Sequence, residues 1–125
     1  DDTDIVVYRF ADVVLLKAEV ENRLGNAQAA LDLVNLVRIA RQMPVAKTTD
    51  FVNFADINEV ENFILDERQM ELFAEGDRWW DLMRTQKTVQ VMGPINGQTA
   101  AKLLWPIYFV HMTDNPKLVQ TPGYN

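Results

Sequence analysis

The pattern of hydrophobic and polar positions predicts a long helix over residues 5–24, for which Asp4 or Thr3 is the candidate N-terminal cap. Apolar residues surround most of this helix: Phe10, Val13, Val14, Leu15, Leu16, Ala18, Val20 and Leu24. A narrow strip carries the polar residues Arg9, Asp12, Glu19 and Arg23. A helix that is apolar nearly all round is contacted on several sides. We therefore expect it to be the central helix of the fold.

A second helix is predicted over residues 27–41, because Gly25 ends the first helix and Asn26 can cap the next. Its core stripe continues into two arginines and comprises Ala27, Ala30, Leu31, Val34, Val37, Arg38 and Arg41. The arginines are expected to pair with acids of other helices; the alternative is that they extend to solvent. The short joint makes the two helices an antiparallel hairpin. This hairpin resembles one tetratricopeptide unit, without a second copy at a period of about 34 residues.

Residues 42–57 are predicted to connect the hairpin to a third helix, because Pro44 stops the second helix and residues 48–50 are typical of a turn. Phe51 and Phe54 are expected to pack against the helices. The alternative is that these two rings are exposed and anchor a partner.

The third helix is predicted to start near Asn58 and to end at Gly76, where a left-handed residue costs least. At about 3.6 residues per turn, one stripe of this helix comprises Val60, Phe63, Ile64, Glu67, Glu71 and Glu75. A further turn or two of helix is predicted over residues 78–84.

The acidic end of this stripe predicts ion pairs. A buried carboxylate without a partner is unfavourable, so carboxylates on a core-facing stripe imply bases opposite them. Arg68 and Arg78 are the candidate partners for the acids of this stripe. We predict a structural ion network made of Arg9, Asp12, Glu19, Arg38, Glu67, Arg68, Glu71, Glu75, Arg78 and Asp81.

Two chemical alternatives to a structural network are a metal site and a pair of catalytic acids. Carboxylate-bridged di-metal bundles use Glu-x-x-His on facing helices, whereas His111, the single histidine, has no Glu three residues before it. Glycoside hydrolysis needs only two carboxylates at a set separation, which any acidic helix offers. The candidate acids for a hydrolase are Glu67, Glu71, Glu75 and Asp81. We expect no metal, no cofactor and no catalytic residue.

Regular periodicity fades after residue 84, and the rest is predicted to be an irregular C-terminal strap lying over the third helix. The pairs Gly93-Pro94 and Asn96-Gly97 are typical of turns. Residues 102–107 form a short apolar run that is broken by a proline, which suits an extended segment.

Three tryptophans, Trp79, Trp80 and Trp105, are candidate sugar-stacking platforms because aromatic faces stack on sugar rings. Neighbouring residues of a helix point about 100° apart, so Trp79 and Trp80 need not share one environment. Packing in the core is the interpretation we favour for all three.

These elements predict an all-α fold: a tetratricopeptide-like helical hairpin, a third long helix and an irregular C-terminal strap within one helical domain, 1–125. The hydrophobic fraction of 48% is ample for a core, and the net charge of −6 argues against a nucleic-acid partner, which favours a basic patch. There is no cysteine, and no apolar run approaches the roughly 20 residues of a membrane span. The chain opens without a signal peptide, so we expect a trimmed product or the end of a longer protein.

Several short motifs occur in one order along nearly the whole chain. They are Tyr8-Arg9-Phe10-Ala11-Asp12, Leu16, Ala18-Glu19, Asn35-x-Val37-Arg38, Glu67-Arg68-x-x-Glu71-Leu72-x-x-Glu75-Gly76-x-Arg78-x-x-Asp81-Leu82-x-Arg84, Leu104-Trp105-Pro106-Ile107, Asn115-Pro116 and Gln120-Thr121-Pro122-Gly123-Tyr124. Their order resembles the C-terminal part of the SusD/RagB family of outer-membrane nutrient-binding lipoproteins. The departures affect turns: Arg41 sits one place late, Gln42 replaces a small residue, Tyr108 replaces a proline and Thr121 replaces an asparagine.

The resemblance implies a helical, tetratricopeptide-like fold and a surface lipoprotein that captures glycans, or sometimes peptides, without catalysis. It implies that the ligand passes to a SusC-like TonB-dependent transporter. Members of this family are several times longer than this chain, and their lipidated cysteine lies at the N-terminus, so contact with the membrane is expected only through a lipid anchor outside this chain. Their ligand-contacting aromatic residues lie mostly in the preceding parts. This chain is therefore expected to be mostly helical scaffold, and no ligand-binding residue is assigned to it.

The alternative function is a stand-alone tetratricopeptide-like adaptor that binds a partner segment in a groove between helices. This alternative predicts an exposed apolar patch and a native product of about this length.

Overall fold

The computed structural model describes residues 7–124, in which six α-helices and two short 3₁₀ turns occur and no β-strand. The helices are α1 (Phe10–Arg23), α2 (Ala27–Ala40), α3 (Ile57–Glu71), α4 (Asp77–Arg84), α5 (Thr88–Asn96) and α6 (Phe109–Asp114). The 3₁₀ turns are Thr48–Asp50 and Ala100–Lys102. The predicted all-α class is confirmed. The chain forms two compact units, Asp1–Arg78 and Trp79–Asn125, whose boundary falls inside α4; that they form a single domain stays a prediction.

The first unit is built on α1, which packs against α2 and also against α3. Gly25 lies in the turn between α1 and α2 with a φ of +85°, a left-handed conformation that glycine adopts without a Cβ penalty. Leu15 and Ala18 of α1 share a fully buried core with Ala30 and Val34 of α2. The alanines allow the two helices to approach closely. The predicted packing of the first two helices is therefore confirmed.

α1 begins at Phe10, later than the predicted start at residue 5. Arg9 precedes it in an extended conformation, with φ −108° and ψ 154°, while its side chain bonds to Glu71 at the end of α3. These hydrogen bonds fix the position of Arg9 at the start of α1. They join residues that are 62 positions apart, so the local hydrophobic pattern does not predict them. The predicted caps Asp4 and Thr3 lie outside the described residues.

α1 contacts both α2 and α3, as expected of a central helix that is contacted on several sides. Val14, Leu15 and Ala18 are buried, whereas Phe10 and Val20 are exposed. Some of its apolar residues therefore give α1 an exposed apolar surface.

The connector between α2 and α3 folds back on the hairpin, as predicted. The rings of Phe51 and Phe54 pack against the core with their centroids 5.1 Å apart, and Phe51 lies 5.0 Å from Phe63 of α3. Asn35 of α2 holds the connector, because its side chain accepts a hydrogen bond from the Ala46 N–H at 2.7 Å and donates one to the Ala46 carbonyl at 2.9 Å.

α3 starts within one residue of its predicted start and ends five residues before the predicted end at Gly76. Asp56 caps its N-terminus by accepting a hydrogen bond from the Asn58 N–H at 2.9 Å. A turn with positive φ at Ala74 and Gly76 separates α3 from α4. The Arg9 guanidinium donates to the carbonyl oxygen of Glu71 at 2.6 Å, which satisfies one of the carbonyls that a helix end leaves without a partner.

The second unit contains more helix than the predicted irregular strap, so that prediction is wrong for α5 and α6. Pro94 lies inside α5, which continues to Asn96, so Gly93-Pro94 does not stop the helix. Pro94 has no N–H to donate to the carbonyl of Gln90, and α5 forms without that one hydrogen bond. α5 ends at Asn96, and Gly97 follows it with a φ of +70°, as the Asn96-Gly97 turn signal indicates. The predicted position of this part over α3 stays a prediction.

Of the segment 102–107 that was predicted to be extended, Lys102 lies in a 3₁₀ turn, and residues 105–107 belong to no helix. Gln120 lies beside it, accepting from the Ile107 N–H at 2.8 Å and donating to the Ile107 carbonyl at 3.0 Å. The Thr121 hydroxyl donates to the Trp105 carbonyl at 3.0 Å. These side chains take the place of a neighbouring strand and hold the segment within the second unit.

Candidate functional site

The acidic stripe of α3 meets arginines that lie within or next to the other helices of the first unit. Glu67 is 3% exposed, and Arg38 of α2 donates to its Oε2 at 2.6 Å. Arg38 also donates to the Pro44 carbonyl at 2.8 Å, and its guanidinium lies over the Phe63 ring, 5.9 Å from the centroid. The buried carboxylate is therefore both charge-compensated and hydrogen-bonded, as its burial requires.

Arg68, on another side of α3, ties this helix to α1. Its Nη1 donates to Asp12 Oδ1 at 2.7 Å and to the Asp12 carbonyl at 3.2 Å. Its Nε lies 3.6 Å from Glu19 Oε1. All three side chains are buried, so one guanidinium compensates two acids that lie two turns apart on α1.

A third cluster joins the start of α1 and the end of α2 to the end of α3. Arg9 donates to Glu71 Oε1 at 2.7 Å and to the carboxylate of Glu75 at 2.7 to 3.0 Å. Arg41 donates to the two carboxylate oxygens of Glu71 at 2.6 and 3.0 Å. Glu71 therefore lies between two guanidinium groups with its side chain 8% exposed, whereas the side chain of Glu75 is 40% exposed.

The pKa values of the acids and arginines in this third cluster are shifted from their usual values. The hydrogen bond from Arg41, followed by that from Arg9, holds the pKa of Glu71 at about 2, although partial burial acts in the opposite direction. The hydrogen bond from Arg9 also lowers the pKa of Glu75. The acids in turn raise the pKa of Arg9 and of Arg41. All four groups are charged at neutral pH, so the cluster favours ion pairing over proton transfer.

The expectation that Arg38 and Arg41 pair with acids of another helix is confirmed. The other two candidate partners are wrong: neither Arg68 nor Arg78 is a partner of the acids of the stripe among residues 7–124. Arg68 follows Glu67 directly, so its side chain points about 100° around the helix, toward α1. Arg78 lies beyond the turn after α3, where it donates to the Leu65 carbonyl at 2.8 Å and lies 3.5 Å from Asp66.

Asp81 of the predicted network lies in the second unit and has a local partner. Arg84 donates to its Oδ1 at 2.7 Å, and the Thr85 hydroxyl donates to its carbonyl at 2.7 Å. Asp81 is 3% exposed. Its membership of one network with the residues of the first unit stays a prediction.

Sequence reasoning missed an ion pair between Glu61 and Arg23, in which the Arg23 guanidinium donates to Glu61 Oε1. Glu61 is 2% exposed, and it shares a helical stripe with Ile64 and Arg68. That spacing is the signal that could have revealed it. The predicted network also omits Arg41, although Arg41 continues the core stripe of α2.

These contacts do not favour acid catalysis or metal binding. The general acid of a glycoside hydrolase needs a raised pKa, whereas the pKa of Glu71 is about 2. Over residues 7–124, no group of three or more His, Cys, Asp or Glu side chains is arranged to hold a metal ion. Each helix in the same range is too short or too polar to cross a bilayer.

Core packing is the wrong prediction for two of the three tryptophans. Trp80 is 64% exposed and Trp105 is 82% exposed, because α4 buries Asp81 and Leu82 instead and Trp105 lies in the extended segment. Trp79 is half-buried and lines a cavity of about 190 Å³ with five other residues: Lys102, Leu103, Leu104, Trp105 and Tyr124.

Comparison with known proteins identifies the family. The sequence model of the SusD family matches residues 1–124. The chain belongs to the SusD family. SusD-like protein P38 of Formosa agariphila is 53% identical to it over 99% of this chain and 25% of P38. SusD-like protein P2 of the same organism is 29% identical over 74% of this chain and 19% of P2.

The solved structure of NanU from B. fragilis is also similar to this SusD-family chain, with a TM-score of 0.71 and 32% sequence identity over 95% of this chain and 27% of NanU. The resemblance indicated by the motifs is therefore confirmed. The chain spans about a quarter of the length of P38 and of NanU. The SusD family consists of non-catalytic binding proteins, so the expectation of no catalysis is confirmed at the level of the family.

Replacing Glu71 by alanine should destabilise the protein by about 1–3 kcal/mol, because Arg9 and Arg41 lose the carboxylate between them but, with side chains 28% and 54% exposed, remain in contact with water. Urea unfolding followed by far-ultraviolet circular dichroism measures the change. The matched control is Asp66→Ala on the same helix, which removes an acid that is 69% exposed and 3.5 Å from Arg78. This control should cost less than about 1 kcal/mol. Equal unfolding midpoints for Glu71→Ala and the wild type would contradict a stabilising role for the ion pairs of Glu71 with Arg9 and Arg41.

Stability should fall on acidification through the window from about pH 4.5, the unfolded pKa of Glu71, to about pH 2, its folded pKa. A carboxyl with a lowered folded pKa contributes stability above its unfolded pKa and loses it as pH falls through the folded one. The shift corresponds to about 1–3 kcal/mol, after a discount for the exposed Arg41.

The measurement is the urea midpoint as a function of pH for the wild type and for Glu71→Gln. The Gln variant should start less stable at neutral pH and lose less stability in this window. Parallel curves for the two proteins would show that Glu71 does not cause the acid dependence.

Proposed function

We propose that this chain is the C-terminal helical part of a non-catalytic, glycan-binding lipoprotein on the surface of the outer membrane. The longer protein captures a glycan, or in some cases a peptide, and passes it to a SusC-like TonB-dependent transporter for nutrient uptake. The observation that carries the proposal is the match to the SusD family over residues 1–124, with a relative that is 53% identical over 99% of the chain. The lipid anchor and most ligand contacts belong to the rest of the longer protein.

Within that protein, residues 1–125 serve mostly as scaffold in a single helical domain. The α1–α2 hairpin acts as a tetratricopeptide-like unit, a role supported by its two antiparallel helices, the tight turn at Gly25 and the buried alanines between them. The predicted ion network is structural. This is supported by the arginines Arg9, Arg38 and Arg68, which bond acids of this chain.

A second candidate function is the stand-alone adaptor. The observation in its favour is the apolar surface on α1 and α2, where Phe10 and Leu36 are at least half exposed. An adaptor would use such a surface to bind a partner segment. The two candidates differ in the length of the native protein.

The native protein in its source cells should have a mass of about four times the 14.4 kDa of this chain, since the chain covers 25% of P38. It should begin with an acylated cysteine and fractionate with the outer membrane. Intact-mass spectrometry and analysis of the N-terminal peptide measure both properties. A product of about 14.4 kDa would contradict the lipoprotein proposal and favour the adaptor.

In the longer protein, Trp80→Ala and Trp105→Ala should leave glycan affinity within about twofold of the wild type, because these exposed rings belong to the scaffold. The test glycan is the one that the wild type binds best on a glycan array, and titration calorimetry measures its affinity. Circular dichroism checks that each variant is folded. A loss of about tenfold or more in a folded variant would place a sugar platform in this chain.

A further inference from the structure

A cleft of about 610 Å³, here called the hairpin-tip cleft, lies where the turn between α1 and α2 meets the end of the connector. It lies within the first unit, and its volume is in the range of about 300–1,000 Å³ that is typical of small-molecule sites. Its lining includes Asn22, Ala27, Gln28, Ala29, Phe54 and Ala55.

Asn22 of α1 brings to this lining a buried acceptor that lacks a donor. Asn22 is 1% exposed, and its Nδ2 donates to the Ile57 carbonyl at 2.9 Å. That bond identifies which end of the carboxamide is the nitrogen. The other end, Oδ1, accepts no hydrogen bond from any of residues 7–124. A buried oxygen without a donor is unfavourable, so a donor that enters from the cleft would stabilise it.

The first turn of α2 brings donors to the same lining. The N–H groups of residues 27–29 precede the first intrahelical bond, which Ala30 donates to the Asn26 carbonyl at 3.0 Å. The Asn26 side chain caps none of them, because it donates to Glu21 at 2.9 Å instead. These N–H groups carry the partial positive charge of the helix start and are directed at an acceptor oxygen.

The charges around the cleft favour an uncharged ligand. No Lys, Arg or His side chain of the described residues occurs in its lining, so an anion would find no cation there. Glu21 accepts from Asn26 in the lining, and Asp32 accepts from Gln28 at 2.9 Å, so two carboxylates beside the cleft would repel an anion. A cation would meet the positive end of α2.

A hydroxyl group satisfies both sides of the cleft, because it donates one hydrogen bond, accepts two and rotates its hydrogen to suit. Adjacent hydroxyls of a sugar can therefore accept from residues 27–29 and donate to Asn22. A peptide is less suitable, since its N–H and C=O are held on opposite sides of a rigid plane. Phe54 is half-buried in the lining and supplies apolar surface for the carbon atoms of a sugar ring.

We propose that the hairpin-tip cleft binds one uncharged sugar unit through its hydroxyl groups. The inference rests on the proposed function, in which the longer protein captures a glycan. It adds to that function a ligand contact made by this chain itself.

Hydrogen-exchange mass spectrometry of the longer protein locates such binding along the chain. The probes are methyl α-D-glucopyranoside, methyl α-D-mannopyranoside and methyl β-D-galactopyranoside, each added until any effect saturates. With at least one of them, the amides of residues 27–29 should exchange about tenfold more slowly, because they become hydrogen-bond donors to the sugar. The amides of Thr48–Asp50, outside the lining, should be unaffected.

A matched pair of variants tests whether the slowing arises in the cleft. Ala55→Trp places a large side chain at an exposed position of the lining and should abolish the slowing. The control is Val52→Trp, at a position that is 99% exposed in the same connector and outside the lining. It should behave as the wild type. Slowing that persists in Ala55→Trp would overturn the proposal.

Asn22→Ala tests the buried oxygen and should also abolish the slowing, with circular dichroism to check that the variant is folded. Because Asn22 also bonds to Ile57, an unfolded variant leaves the decision to Ala55→Trp. No slowing with any of the three sugars would overturn the proposal. Slowing by N-acetyl-trialanine amide or by sodium sulfate in place of the sugars would assign the cleft to a peptide or to an anion, and would overturn it as well.

The glycan array and the mass of the same preparation separate this inference from the proposed function. A longer protein that binds a glycan, with unchanged exchange at residues 27–29, would refute the cleft assignment alone. A native protein of this chain's length that shows the slowing would refute the proposed function and leave the sugar site in place.

Discussion

A carboxylate that leaves water has to meet a positive group, and this requirement shapes the first unit. Three charged residues of α3 each pair with a different part of the unit. Glu67 pairs with Arg38 of α2, and Arg68 pairs with Asp12 of α1. Glu71 pairs with Arg9 and Arg41. Because each bond is short and directional, sliding one helix along another by a turn would leave buried charges without partners. The ion pairs thereby specify one register of three helices. Replacing such pairs by apolar residues is often neutral or stabilising, so specificity is the effect we assign to them.

The two sides of the α1–α2 hairpin have different roles. The side toward α3 is closed by core contacts and by arginines that bond acids across the helices, so it is complete within this chain. The other side carries exposed Phe10 and Leu36, so its apolar surface is not covered within the described residues. This chain spans about a quarter of the length of P38.

Much of the helical framework was predictable because it depends on local chemistry. The predicted second helix, 27–41, ends one residue beyond the observed end at Ala40, since Pro44 and the core stripe mark its limits. Arg38 and Arg41 were correctly predicted to pair with acids of another helix. Arg68 and Arg78 were wrongly chosen as partners of the acidic stripe, because partners far apart in sequence are set by how helices cross. The exposure of Trp80 and Trp105 was missed because hydrophobicity alone does not tell which surface a fold covers. α5 and α6 were missed because proline and glycine were given more weight as breakers than their positions warrant.

The all-helical class, the need of buried acids for arginines and the resemblance of the motif order to the SusD family could all be inferred from the sequence alone. These properties follow from periodicity, from charge on apolar stripes and from residues that stand close together along the chain. The packing of the helices was needed to learn that Glu71 lies between Arg9 and Arg41, that Arg68 points toward α1, and that one face of the hairpin is exposed. Those outcomes depend on contacts between residues tens of positions apart, whose geometry is set by helix packing and is absent from any local pattern.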